Sequence, residues 1–173
     1  MSQVLRMLIA VSICANALTI AIAQENKTGR YFCVTGYSGG LKYDPRTRTW
    51  DSMGFSVEEK DKFILGLSLE KERTEKINGM DVLMHDYKIQ ITRTDKDRPD
   101  RCLPIGSGFG FGENQLVTTY AVDGKLRCNT IFLEYVFSLK TNRFLAAYFQ
   151  GFIDGDKTGN TPNIKAGTCT KIN

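Results

Sequence analysis

Apolar and polar residues alternate with period two through most of the chain after residue 30, and no long segment keeps a helical period. Alternation of this kind marks half-buried strands, because successive side chains leave a strand on opposite faces. It predicts strands over 30–35, 40–44, 49–55, 62–76, 80–94, 115–122, 125–140, 142–153 and 164–171. The predicted fold class is all-β: an antiparallel up-and-down meander of about 8–9 strands, closed or nearly closed into a barrel.

Turn chemistry sets the registers. Asn78-Gly79 is the strongest turn signal. A two-residue loop there would put an apolar face over a polar one, pairing Leu67 with Gln90 and Leu65 with Thr92. A three-residue loop, Ile77 to Gly79, instead sets Leu69 against Tyr87, Leu67 against Ile89 and Leu65 against Ile91, with Gly79 in a left-handed bulge. Asp123-Gly124 predicts a hairpin pairing Ala121 with Leu126, Thr119 with Cys128 and Leu116 with Ile131. Thr141-Asn142 predicts Leu139 against Phe144, Phe137 against Ala146 and Tyr135 against Tyr148. Asp44-Pro45 opens a turn that sets Tyr43 opposite Trp50. Ser56-Val57-Glu58-Glu59 reads as a capping box for one helical turn before Phe63.

Two segments stand apart. The strand 142–153 is apolar on both faces, with Phe144, Ala146, Tyr148 and Phe152 on one and Leu145, Ala147, Phe149 and Ile153 on the other. The stretch 95–114 carries two prolines and a glycine run and reads as a long irregular loop of the kind that forms lids or binding loops.

The N-terminus changes the setting. Arg6 precedes an apolar run from Met7 to Ala23 that ends Ala21-Ile22-Ala23, a small-x-small site. This is the anatomy of a secretory signal peptide over 1–23, leaving 24–173 as a single domain. Cys14 is signal-peptide content, because Ile13 stands where a lipobox needs a small residue. No later segment is apolar and long enough to span a bilayer. Cys33, Cys102, Cys128 and Cys169 remain, and an even count in an exported chain suggests two disulfides. Four cysteines allow three connectivities, and the sequence does not choose among them. We expect Cys33–Cys169, tying the ends of the domain, with Cys102–Cys128. No Cys-x-x-Cys pair occurs and there is one His, so no zinc site is expected. The sequon Asn26-Lys27-Thr28 has meaning only in a glycosylating host.

Charge adds little. The net charge of +4 falls to +3 with loss of Arg6, and the densest run, Arg93 to Arg101, alternates in sign. Mixed charges cancel at range. A nucleic-acid binder would show a basic face, so none is expected as partner.

The catalytic inventory is thin. His85 alternates with Leu83, Tyr87, Ile89 and Ile91, so it points to the apolar face, as an interior His or a polar group in a ligand cavity. A Ser-His-Asp triad would need it as base, yet Ser107 lies in no nucleophile elbow. The segment Gly106-Ser107-Gly108-Phe109-Gly110-Phe111-Gly112 fits neither a P-loop nor a dinucleotide fingerprint, since Phe111 stands at the third glycine. It reads as a mobile loop or a strand with tight backbone approach, or as a mouth loop presenting Phe109 and Phe111 to a ligand or partner. Glu134 and Asp51 lie in predicted strands, Glu134 on the face of Phe132 and Val136, but neither pairs with a second acid as a glycosidase would need.

The runs Gly39-Gly40-Leu41-Lys42-Tyr43-Asp44 with Trp50 after it, Leu139-Lys140-Thr141-Asn142-Arg143-Phe144 and Gly167-Thr168-Cys169-Thr170-Lys171-Ile172 resemble small exported bacterial proteins of unassigned function. The shared features are turns, a Trp plug and a closing Cys. The resemblance implies a periplasmic or secreted setting and no activity. The architecture resembles lipocalin-like barrels, without their Gly-x-Trp signature: Trp50 follows Arg48-Thr49.

The expected function is therefore binding without catalysis. One form holds a small apolar or amphipathic ligand in the barrel, with His85, Tyr87, Tyr135, Tyr148, Phe109 and Phe111 as the candidate lining. The alternative is an interaction or inhibitor module of the cell envelope, acting through 95–114 and the exposed face of 142–153. An enzyme is the third hypothesis, with His85 and Glu134 as its candidate groups. The expected partner is a small apolar ligand or an envelope or extracellular protein. No cofactor, metal or membrane span is expected after signal cleavage, and the chain is expected to be a monomer.

Overall fold

The computed structural model describes residues 27–107, 115–153, 155 and 160–172. The signal-peptide segment, Asn26 of the sequon, Phe109 and Phe111 lie outside them. Among the described residues there are ten antiparallel strands and no α-helix. They are β1 (Gly29–Asp44), β2 (Thr49–Gly54), β3 (Lys62–Ile77), β4 (Met80–Arg93), β5 (Asp100–Pro104), β6 (Val117–Tyr120), β7 (Lys125–Asn129), β8 (Glu134–Ser138), β9 (Arg143–Tyr148) and β10 (Asn163–Lys171).

Eight strands follow one another in chain order around a ring, β1-β3-β4-β5-β7-β8-β9-β10, and β10 pairs with β1 to close it. β2 lies outside the ring against β1, and β6 lies against β4. No free edge remains along the paired length of the ring, which removes the usual template for strand addition there.

The closing seam is covalent. Cys33 and Cys169 are direct cross-strand partners and are bonded, tying residues 136 apart in sequence. Cys102 of β5 is bonded to Cys128 of β7. The expected pairing is the one present. The seam also needs glycine. A Cβ on Gly167 would stand 2.1 Å from the Val34 carbonyl oxygen and 2.6 Å from the Phe144 ring.

The inward positions are those the alternation assigns. Leu65, Leu67 and Leu69 of β3 face Ile91, Ile89 and Tyr87 of β4, and Phe63 joins them with Tyr31, Leu126, Tyr135, Phe137 and Phe144 from the remaining walls. Phe63 crosses the ring and meets Phe144, Tyr135 and Phe137 at ring-centroid distances of 4.9, 5.8 and 6.3 Å. Tyr135 and Phe137 stack at 5.6 Å with planes 5° apart. Aromatic pairs of this kind contribute roughly 0.5–1.5 kcal/mol each beyond the area they bury.

Several sequence expectations are corrected. The Leu65–Ile91 register is as expected, but its cause differs. The loop is the two residues Asn78-Gly79, both at positive φ, and the one-residue shift comes from a bulge between Leu69 and Lys71. The segments 30–35 and 40–44 are one strand, interrupted by a bulge between Thr35 and Tyr37. The segment 125–140 is two strands, β7 and β8, folded on each other with Leu126 against Phe137. Their turn carries Ile131 and Phe132, both exposed, which hid it from a polarity-based reading. Thr130 makes the turn by hydrogen-bonding Leu133 through main chain and side chain.

The Asp123-Gly124 hairpin does not form. A turn exists there, with Gly124 at φ +62, but β6 pairs with β4, setting Thr119 against His85. β4 is long enough to take β6 and β5 in succession along one edge. At Thr141-Asn142 the register slips by two residues, so that Phe137 faces Phe144 and Tyr135 faces Ala146. A slip of two keeps every side chain on its face.

The stretch 95–114 is not wholly irregular, because β5 lies within it and supplies Cys102 to the ring. The strand 142–153 ends at Tyr148. Gly151 has φ +113, and a Cβ there would stand 2.5 Å from the Asn160 carbonyl oxygen. The helical turn Glu59–Asp61 forms as expected, but Glu58 and Asp61 make its cap in place of Ser56 and Glu59. Tyr43 faces Trp50 as expected, at 5.3 Å, and Trp50 also meets Phe152 edge-on at 5.4 Å. Trp50 is thus half-buried on the β1–β2 wing and outside the core cluster.

The two disulfides differ in the loops they close, 136 against 26 residues of separation. By loop-closure entropy, removing Cys33–Cys169 should cost roughly 5 kcal/mol and removing Cys102–Cys128 roughly 3–4 kcal/mol. Urea denaturation of Cys33→Ser/Cys169→Ser and Cys102→Ser/Cys128→Ser variants measures both. Equal losses, or a larger loss from the second pair, would count against closure as the dominant constraint.

Candidate functional site

Of the six residues expected to line one ligand cavity, the four that are described do not converge. Tyr87 is buried in the core, with His85 edge-on to it at 6.1 Å. His85 is buried in the same phase of β4 as Tyr87, with Nε2 3.3 Å from the carboxylate of Glu72, its cross-strand partner. Tyr135 lies at the other end of the ring, near Arg93, which is six residues along β4 from Tyr87 and so roughly 20 Å away. Tyr148 is half-buried at the end of β9, and its hydroxyl is 3.2 Å from the Gln150 amide oxygen. Phe109 and Phe111 lie outside the described residues.

The end of the ring where β3 begins and β4 finishes holds a small cleft of about 110 Å³. Its floor is Phe63, Tyr135, Phe144 and Ala146, and its rim is Lys60, Asp61, Arg93, Asp95 and Lys165. The sequence reading missed this group. Lys165 shares its inward phase with Gly167 and Cys169, so an inward cation in β10 was the available signal.

Asp61 organises the cleft. The helical turn places its carboxylate to accept the Glu58 N–H at 2.8 Å, and its carbonyl accepts the Thr35 hydroxyl at 2.8 Å. The other carboxylate oxygen accepts from the Lys165 ammonium. Burial alone would raise the Asp61 pKa, but the Lys165 and Glu58 hydrogen bonds outweigh it and hold the carboxyl below its ordinary value. Arg93 lies 3.2 Å from Asp95, yet its Nε is buried and makes no hydrogen bond. Each cation on the rim thus has an acid nearby, since Lys60 pairs with Glu58 at 2.8 Å. Burial pushes the Tyr135 hydroxyl up to about 12.

The remaining candidates stay apart. Ser107 is engaged with the Pro104 carbonyl, which accepts its hydroxyl at 2.5 Å. Glu134 is half-buried on the outer face beside Val136, and Asp51 is exposed on β2. Among the described residues no three His, Cys, Asp or Glu side chains gather as a metal site would require.

A larger groove of about 690 Å³ lies on the outside of the ring, across β8, β9, β10 and β1. Strand pairing lines up one continuous row, Arg127–Val136–Leu145–Ala166–Tyr37, from five successive strands. The next row is Lys125–Ser138–Arg143–Thr168–Val34. Tyr37 is 79% exposed and Leu145 50% exposed, and Ala166 and Gly167 form the low floor between them.

Comparisons with protein-family models, with curated proteins and with solved structures each find no match. No helix among the described residues is long and apolar enough to cross a membrane.

Two titrations follow from the cleft. A depressed carboxylate stabilises the fold above its unfolded pKa of about 3.9, and that contribution disappears as pH falls through the folded value. The melting temperature should therefore drop more steeply below about pH 4 in the native protein than in Asp61→Asn. Parallel profiles would show that the Asp61 contacts add nothing. Tyr135 carries the opposite sign. Its folded pKa of about 12 exceeds the ordinary 10, so its share of stability holds below pH 10 and fades above it. Ultraviolet titration should show one tyrosine ionising last, and Tyr135→Phe should delete that step.

Proposed function

We propose that this chain is an exported, non-enzymatic interaction module, a small lipocalin-like barrel that meets a partner protein through its outer surface. One observation carries the reading: the interior is occupied by the protein's own aromatic side chains, with Phe63 touching Tyr135, Phe137 and Phe144 across the ring. A closed sheet of about eight strands either fills with its own side chains or holds one ligand. These rings take the first course. The apolar surface that remains is outside, at Tyr37, Leu145, Ile164 and Phe149. Clustered exposed apolar side chains mark interaction surfaces in proteins that otherwise bury them. Two disulfides fit a periplasmic or secreted setting.

A second reading rests on the cleft at the end of the ring. Its aromatic floor and the charged rim of Arg93, Lys60 and Lys165 suit a small polar ligand of a few heavy atoms. It is too small for the larger apolar ligand that a hollow barrel would take.

Native mass spectrometry of the protein purified from its own compartment, with a denatured control, separates the two. The expected result is the bare chain, lighter than the reduced chain by about four hydrogens for two disulfides. Extra mass that leaves on denaturation would replace the interaction reading with the small-ligand one.

A further inference from the structure

We propose that the groove across β8, β9, β10 and β1 docks a segment of another protein that carries carboxylates beside apolar side chains. The proposal rests on the interaction reading above and names its surface and its partner chemistry.

The argument begins with the pleat. Because neighbouring strands pair in register, every second residue of five strands falls into a lateral row on the outer face. In one row Val136, Leu145, Ala166 and Tyr37 are successive neighbours, and Arg127 stands at the β7 end. The apolar part spans three inter-strand steps, about 14 Å. Small residues at Ala166 and Gly167 make the middle low, while Leu145 and Tyr37 stand up on either side. An outer position on a solvated sheet is ordinarily polar. Four apolar neighbours in one row break that pattern.

Charge names the occupant. Arg127, Lys125 and Arg143 border the apolar row on its β7 and β9 sides, and all three are exposed. Among the described residues Lys125 pairs with Asp123, while no ion pair is formed by Arg127 or Arg143. Arg127 at the β7 end of the row and Arg143 beside Leu145 in the next row, neither ion-paired among the described residues, complement carboxylates, which they can hold through paired N–H donors. The recess also selects among anionic partners. A flat bilayer surface would rest on Tyr37 and Leu145 without reaching Ala166 and Gly167, whereas a peptide segment can place a side chain between them. The occupant is therefore a protein segment, with apolar anchors in the recess and its acidic end toward Arg127 and Arg143.

The test uses the disulfide-bonded protein, isotope-labelled for NMR, and defined probes. One probe is a synthetic peptide with a Glu-Asp-Glu head and a Leu-Val-Phe-Leu tail. The others are the same tail with a Lys-Lys-Lys head, and vesicles of anionic phospholipid. The acidic peptide should shift amides of β8, β9, β10 and β1, and its affinity should fall as salt rises. The Lys-headed peptide should bind at least about tenfold more weakly. Leu145→Glu and the Arg127→Glu/Arg143→Glu pair should each cost at least about tenfold. These side chains are exposed, so unchanged melting temperatures check that the variants fold. Ala166→Leu, which fills the recess and leaves the charges in place, should also abolish the shifts.

Absence of shifts on these strands overturns the proposal. So does equal binding of both peptides. Vesicle binding that depends on Arg127 and Arg143 would overturn it in favour of a lipid surface, and concentration-dependent self-association lost in Leu145→Glu in favour of a second copy. A native partner cross-linked to another face would remove this surface and leave the interaction reading standing. A small ligand released on denaturation would remove both.

Discussion

β1 and β10 stand at the two ends of the folded chain, and their pairing turns an open sheet into a ring. Nothing local brings them together, because the bonded residues Cys33 and Cys169 are separated by 136 positions. The seam is therefore where loop-closure entropy opposes folding most, and where the chain concentrates its fixed features. A disulfide links direct cross-strand partners there. Gly167 lets the Val34 carbonyl and the Phe144 ring approach, and Gly40 does the same for the Pro162 carbonyl, which a Cβ would meet at 2.0 Å. Lys165 of β10 reaches the buried Asp61 carboxylate just before β3, so an ion pair braces the same seam near one end.

Closure in turn dictates what the inside can be. Eight strands bring opposite walls close enough for Phe63 to touch Phe137 at 6.3 Å between centroids. Three aromatic contacts from one side chain leave the middle packed, and Tyr135 stacked on Phe137 seals the floor of the terminal cleft. Side chains filling such a space cannot also recede to admit a ligand without exposing apolar surface elsewhere. The fold thus leaves the rim and the outer face, in place of the interior, as the surfaces open to another molecule.

The strand phases were legible because burial is decided locally, residue by residue, and Leu65, Leu67, Ile89 and Ile91 could be sorted by alternation alone. The disulfides were legible for a related reason: strands at the two ends of a closed sheet must meet. Registers were less so. At Thr141-Asn142 a slip of two residues preserves every face, so hydrophobic pattern carries no information about it. At Asn78-Gly79 the pattern demanded a one-residue shift, yet could not say whether the turn or a bulge at Glu70 supplied it. Strand partners were the least legible. β6 leaves β7 for β4 only because β4 outruns β5, a matter of lengths on a third strand. The turn at 130–133 was invisible because Ile131 and Phe132 are apolar yet exposed.

The four described residues of the candidate lining stand apart for a physical reason as well. Aromatic residues on inner faces satisfy two incompatible expectations, a ligand pocket and a filled core, and composition does not separate them. What separates them is whether rings on opposite walls touch, which depends on the ring's diameter and so on strand number. The outer row has the reverse character. Its members, Arg127, Val136, Leu145, Ala166 and Tyr37, are scattered along the sequence from Tyr37 to Ala166 and look unremarkable on any single strand. They become a surface only when five registers are known together. A bulge between Thr35 and Tyr37 decides the last of these, since without it Tyr37 would turn inward and the groove would lose one wall. A single extra residue in β1 thus places the most exposed aromatic side chain of the ring beside the least bulky stretch of β10.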